Sequence, residues 1–143
     1  MITPADLIAL NDVAIRLNVT YADLFSLIMF ESGFNPQAKN PRSSARGLIQ
    51  FIDSTARSLG YTDSLDLVTK NPTIQQQLPL VEAYLKQYAP FNDKQDLYLS
   101  VFYPKYRRVD PGTVFPDTVQ AANPGITTVR DYIDLVDGKK KIV

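Results

Sequence analysis

The run Glu31-Ser32-Gly33-Phe34-Asn35-Pro36, then Asn40-Pro41-Arg42-Ser43-Ser44-Ala45-Arg46-Gly47-Leu48-Ile49-Gln50-Phe51, decides how this chain is read. Upstream of it, Leu24, Leu27 and Ile28 recur at helical spacing, Thr20 offers a cap, and Asp23 sits near the positive N-terminal end. Gly33 ends that helix. Glu31 lies four residues after Leu27 and three after Ile28, so it continues the apolar stripe instead of the wet face. Phe30 and Phe34 flank the carboxyl, and desolvation raises its pKa, as does the negative end of the helix dipole. A glutamate with a pKa of about 4.3 is protonated only about 0.2% of the time at pH 7. A pKa near 6 gives about 10%, for roughly 2.3 kcal/mol of differential solvation, which one apolar pocket can supply. Such an acid can protonate the leaving oxygen of an acetal. A glutamate that merely caps or bridges a helix end fits the same position. The other glutamate, Glu82, reads as a solvated helix residue.

Working outward, helical spacing continues on both sides. Thr3-Pro4 is a cap followed by proline at the first helical position, and Leu7, Leu10, Ala14 and Leu17 predict a helix over 4–17. A shorter helix is expected after Gly47, carrying Phe51, Ile52, Thr55, Ala56 and Leu59 and stopped by Gly60. Asn71-Pro72 opens a longer one to about Tyr88, and another runs from about Lys94 to Tyr103 and meets Pro104. Residues 104–126 hold four prolines and two glycines and read as an irregular excursion across the surface. A last helix begins near Thr127-Thr128, places Asp131 near its start, and ends before Gly138. The expected architecture is mainly α, a single domain over 1–143 with at most a few short strands.

Composition removes whole classes of chemistry. The chain has 143 residues, 45% of them hydrophobic, and contains neither Cys nor His. A globule of this length buries roughly 68–70% of its unfolded surface, enough for a core without staples. Disulfides, thiolate sites, imidazole catalysis and His-ligated metals are excluded, so no metal or cofactor is expected. An acid or base must come from Asp, Glu, Lys or Tyr. Fifteen basic residues balance fifteen acidic ones, which gives no global field toward nucleic acid. The basic clusters are Arg107-Arg108 and Lys139-Lys140-Lys141, the second reading as a solvated tail. No apolar run reaches the roughly 18 residues of a membrane span. The opening residues lack a basic region and carry Asp6, unlike a signal peptide.

The quoted run resembles the lytic transglycosylase domain of the soluble-lytic-transglycosylase (SLT) type, which shares a lysozyme-like fold with goose-type lysozymes. Glu31 to Pro36 matches the family's Glu-Ser and Phe-Asn-Pro-like turn. Gly47-Leu48-Ile49-Gln50 matches its Gly-Leu-Met-Gln, and Phe51-Ile52-Asp53-Ser54-Thr55-Ala56 continues the pattern with Asp53 in place of the usual proline. The resemblance covers roughly residues 20–105. It implies Glu31 as the catalytic acid and base and Gln50 as a cleft residue binding amino sugars, with Ser32, Ile49, Tyr98, Phe102 and Tyr103 as further substrate-binding residues. A Gln50 that only satisfies loop backbone fits as well, and the Ile49 side chain itself reads as core. The family's third motif, Ala-Tyr-Asn-Ala-Gly, falls on Tyr98-Leu99-Ser100-Val101-Phe102-Tyr103, with Phe102 where the family has Tyr. Phe102 has no hydroxyl to hold the acid, and Tyr98 or Tyr103 is left to supply it or to serve as core. The Tyr103-Pro104 form and Gln75-Gln76-Gln77-Leu78 look like bacteriophage-associated members. By resemblance, then, the chain cleaves peptidoglycan glycan strands, in a virion or host cell at the periplasmic wall, with other virion proteins as partners. The alternatives are a goose-type hydrolase using Asp53 and a non-catalytic glycan-binding virion module.

Overall fold

Thr3 caps the first helix, α1 (Pro4–Leu17), in a reciprocal capping box with Asp6, and Asn18 closes it in the left-handed conformation. A computed structural model describes residues 2–140. Thr20 caps α2 (Tyr21–Ser32), which Gly33 terminates at φ +61°. There follow α3 (Asp53–Ser58), α4 (Ser64–Lys70), α5 (Ile74–Lys86) and α6 (Lys94–Phe102). A 3-10 turn (Pro104–Tyr106) leads to α7 (Asp117–Ala122) and α8 (Val129–Val136). The fold is mainly α, consistent with a lysozyme-like domain, and the described residues form no sheet. Strand-like pairing is limited to Lys39 with Arg46, Arg46 with Phe51, and Val114 with Thr128. No single helix among the described residues is long and apolar enough to cross a membrane.

The centre is α6, whose residues Gln95 to Ser100 are all buried. Its apolar side chains Leu97, Tyr98 and Leu99 meet Leu24, Leu27, Leu85 and Tyr132 in one hydrophobic cluster. A helix buried on every side must satisfy its polar groups internally. Gln95 Nε2 donates to the Val109 carbonyl at 2.8 Å, and Asp96 accepts from Arg108 Nε at 3.2 Å. Ser100 Oγ donates to the Asp96 carbonyl at 2.6 Å. The first two bonds fasten the proline-rich segment to the core. On the opposite side, α1 and α5 are held by Gln75 on Asp6 and by a bidentate pair between Arg16 and Glu82. Glu82 is therefore an ion-pair partner and not simply solvated.

Four readings are corrected. The helix expected directly after Gly47 starts only at Asp53, because Gly47 (φ +83°) and Gln50 (φ +60°) turn the chain left-handed and Phe51 pairs with Arg46. Helix α4 was absent from the sequence reading, although Asp63 caps it by accepting from the Asp66 N–H at 2.8 Å. The 104–126 excursion contains regular structure: Pro104 and Pro116 stand at the starts of the 3-10 turn and of α7, where a missing N–H costs nothing. Of the C-terminal basic cluster, Lys140 pairs with Asp131 at 2.7 Å instead of trailing in solvent, and Lys141 lies outside the described residues.

Candidate active site

Helix α2 delivers Glu31 to a groove of about 480 Å³. The left-handed turn at Gly33 and Phe34 (φ +61° and +60°) stops the helix one turn after the buried pair Leu27 and Ile28. Phe30 and Glu31, the loop residues Asn40 to Arg42, Gln50, Phe102 and Tyr132 line the groove. Ala122, Asn123, Pro124 and Ile126 complete its wall. A concave site of this size suits a few sugar rings.

The carboxyl is the unusual group. Burial pushes the Glu31 pKa up to about 7, against a smaller downward pull from the Tyr132 hydroxyl, which donates to Oε1 at 3.2 Å. At neutral pH about half of such carboxyls carry a proton. Tyr132 is fully buried, and burial next to the Glu31 charge holds its own pKa well above the usual tyrosine range. Its ring stacks on Phe102 at 4.3 Å and meets the edge of Phe30 at 5.9 Å, so the hydroxyl is held in place by aromatic packing. Phe30 lines the groove beside the carboxyl. Phe34 does not: its left-handed backbone turns the ring onto Phe25 at 4.9 Å, and it lines a different hollow.

The sequence-expected site residues separate into three groups. Glu31, Gln50 and Phe102 meet in the groove. Gln50 Nε2 donates to the carbonyls of Gly47 (3.0 Å) and Ala38 (3.4 Å), which leaves its amide oxygen without a protein donor among the described residues. Ile49 is 3% exposed and borders a small void of about 70 Å³ with Tyr84 and Val101, behind the groove. Ser32, Tyr98 and Tyr103 lie elsewhere. The Ser32 hydroxyl donates back to the Ile28 carbonyl of its own helix, and the buried Tyr98 hydroxyl goes to Asp137 at 2.7 Å. Tyr103 packs edge-on against Tyr106 and Phe115. The hydroxyl sought on α6 comes instead from Tyr132 on α8, a residue whose inward position is readable from its spacing to Val129, Ile133 and Val136.

Other acids stand apart from this chemistry. Asp53 accepts the Ser64 backbone N–H at 2.9 Å, a bond that holds its pKa below the usual carboxylate range. A larger hollow of about 880 Å³ beside Phe34 and Ile74 has only Asp6 as an acid. Burial there works upward on Asp6 but is outweighed by bonds from Thr3 and Gln75, so it stays ionised. Among the described residues no group of three acidic side chains is placed to hold a metal ion.

Residues 10–78 match the family model of the transglycosylase SLT domain. The match supports the SLT lytic transglycosylase family for this chain, and with it a peptidoglycan-cleaving enzyme. No curated protein matches the chain. The SLT segment contains Glu31 and Gln50; Phe102, the Ala122–Ile126 wall and Tyr132 lie beyond it. Tyr132→Phe keeps the stacked ring and removes only the donor. It is expected to lower turnover roughly tenfold, the kinetic equivalent of one charge-assisted hydrogen bond. The Glu31 pKa should rise further, because the one downward influence is gone. A pH–rate profile of the variant checks this, and an unmoved alkaline limb contradicts it.

Proposed function

We propose that the protein cleaves the β-1,4 bond between N-acetylmuramic acid and N-acetylglucosamine by lytic transglycosylation, with Glu31 as both acid and base. The observation that carries this reading is a single carboxyl in the groove, poised near pH 7, with no second carboxylate beside it among the described residues. Protonated Glu31 donates to the glycosidic oxygen as the bond to C1 of the muramyl residue breaks. The carboxylate left behind takes the proton of that residue's own C6 hydroxyl, whose oxygen closes on C1. The product is a 1,6-anhydromuramyl end, and Glu31 is protonated again for the next cycle. Because the nucleophile belongs to the substrate, no water has to be bound and activated, and proximity replaces a second catalytic group. A hydrolase needs another carboxylate roughly 5–9.5 Å from the first to serve as nucleophile or as base for water. Asp53, the nearest candidate in sequence, is engaged with the start of α4.

The proposed setting is phage entry or host lysis at periplasmic peptidoglycan, alongside other virion proteins; Tyr103-Pro104 and Gln75 to Leu78 are the stretches that support it. Mass spectrometry of peptidoglycan digests tests the chemistry. Anhydro products, one water lighter than reducing ends, are expected. Reducing muramic ends alone would point to hydrolysis, and no cleavage of permeabilised Gram-negative cells would leave a glycan-binding module.

A further inference from the structure

Of the side chains that line the Glu31 groove, Arg42 alone carries a fixed charge. Its guanidinium has neither an ion-pair partner nor a hydrogen-bond acceptor among the described residues. Asp53, whose N–H donates to Ser44 Oγ at 3.0 Å, is influenced by Arg57 and Arg46 instead. The backbone beneath it is built, not slack. The Arg42 N–H donates to Asn40 Oδ1 at 2.8 Å, and Asn40 N–H reaches the Ala45 carbonyl at 3.0 Å. Lys39 Nζ ties together the carbonyls of Asn40 and Ser43, and Lys39 pairs with Arg46 across the loop. The remaining wall residues Ala122 to Pro124 and Ile126 are neutral. With Glu31 only about half ionised at pH 7, the groove keeps a net positive character, carried by a side chain whose planar fork matches a carboxylate.

We propose that Arg42 binds a carboxylate carried by the glycan strand and so selects which strands occupy the groove. This rests on the reading of the groove as a peptidoglycan site. The sugars of the strand are neutral, so the carboxylate has two sources: the lactyl group on C3 of a muramyl residue without peptide, or the acidic residues of a stem peptide. Both belong to the muramyl sugar, the one whose C1 bond Glu31 would cleave. A neutral strand such as chitin offers Arg42 nothing.

The test is calorimetric binding of soluble strands to Glu31→Gln, which turns them over too slowly to disturb the titration, and to Glu31→Gln with Arg42→Gln. Four strands are compared: peptide-free, stem-bearing, and each of these with its carboxylates converted to neutral amides. Expected is about tenfold tighter binding of a carboxylate form over its amide, a preference that shrinks with added salt and vanishes with Arg42→Gln. Arg42→Glu should weaken the charged strands further and leave the amidated ones unchanged, which separates a lost charge contact from a damaged fold. Preference confined to peptide-free strands assigns the lactyl carboxylate, and preference confined to stem-bearing ones assigns the peptide. No preference in the Glu31→Gln protein, or a preference that survives Arg42→Gln, overturns the proposal. Cleavage products of the wild type decide the reading of the groove separately, because the binding ratio needs no turnover.

Discussion

Glu31→Gln is expected to lower peptidoglycan turnover by roughly 10⁴-fold while making the fold more stable above neutral pH. The kinetic half follows from the double duty of the carboxyl: positioned proton transfer contributes about 10²–10⁴-fold, and losing both donation and uptake places the variant at the upper end. The stability half follows from linkage. Burial raises the Glu31 pKa from the ordinary glutamate value of 4.5 to about 7 in the folded state. A raised pKa means that the folded state binds the proton more tightly than the unfolded chain does. That contribution is fully present below about pH 4.5, declines as pH rises, and is lost once pH passes 7. At pH 8 the ionised carboxyl costs the fold about 3 kcal/mol, an upper value because the side chain is only partly shielded from water. Glutamine accepts the same Tyr132 hydroxyl and carries no charge to desolvate. Its Tm should therefore exceed that of the wild type by up to about 10 °C at pH 8 and coincide with it near pH 4, taking roughly 3 °C per kcal/mol for this length. Equal melting temperatures at both pH values would show that Glu31 is not desolvated, and the acid chemistry would lose its physical basis.

The features that were legible in the sequence are the local ones. Thr3, Thr20 and Thr128 each cap the helix that follows, and Gly33 stops α2, because capping is settled within four residues. The inward position of Glu31 was readable for the same reason: it is a matter of phase along one helix. What escaped depends on chain direction after a turn or on contacts far apart in sequence. Phe34 looked like a neighbour of the carboxyl until two successive left-handed residues swung it toward Phe25. The hydroxyl on Glu31 is expected from Tyr98 or Tyr103, where the family motif directs attention. It arrives instead from α8, which the stacking of Tyr132 on Phe102 and the Tyr98–Asp137 hydrogen bond join to α6. Prolines misled in one place, since the residues that break a helix internally are well suited to begin one, as at Pro116. The groove's far wall was thus hidden in a segment that seemed to have no regular structure.

Gly47→Ala is expected to destabilise the protein by about 4 kcal/mol and to disable the groove, through a residue that touches neither Glu31 nor the space a substrate would fill. Gly47 is buried with φ +83°, a backbone conformation that costs an alanine about 1–2 kcal/mol. An added Cβ would also lie 2.7 Å from Gln77 Oε1 and 3.2 Å from Val68 Cγ1. Gln77 has no slack to give. It is fully buried on α5, where Oε1 accepts the Leu48 N–H at 3.0 Å and Nε2 donates to the carbonyls of Pro36 (2.7 Å) and Asn71 (2.9 Å). One amide thereby pins the turn after Glu31 and the turn before Gln50 to the same helix. Displacing it leaves those groups unpaired in the interior, at about 1–3 kcal/mol. Thermal unfolding should then fall by roughly 12 °C, and the Gly47 carbonyl that holds Gln50 at 3.0 Å should shift with the turn. A double-mutant cycle identifies the cause. Gln77→Ala alone should cost about 3 kcal/mol, but combined with Gly47→Ala the total should stay near 4–5 kcal/mol, because the clash and the lost clasp are largely the same event. Strict additivity, near 7 kcal/mol, would mean that glycine is required at this position by its backbone alone and that Gln77 does not set the distance between the two motif turns.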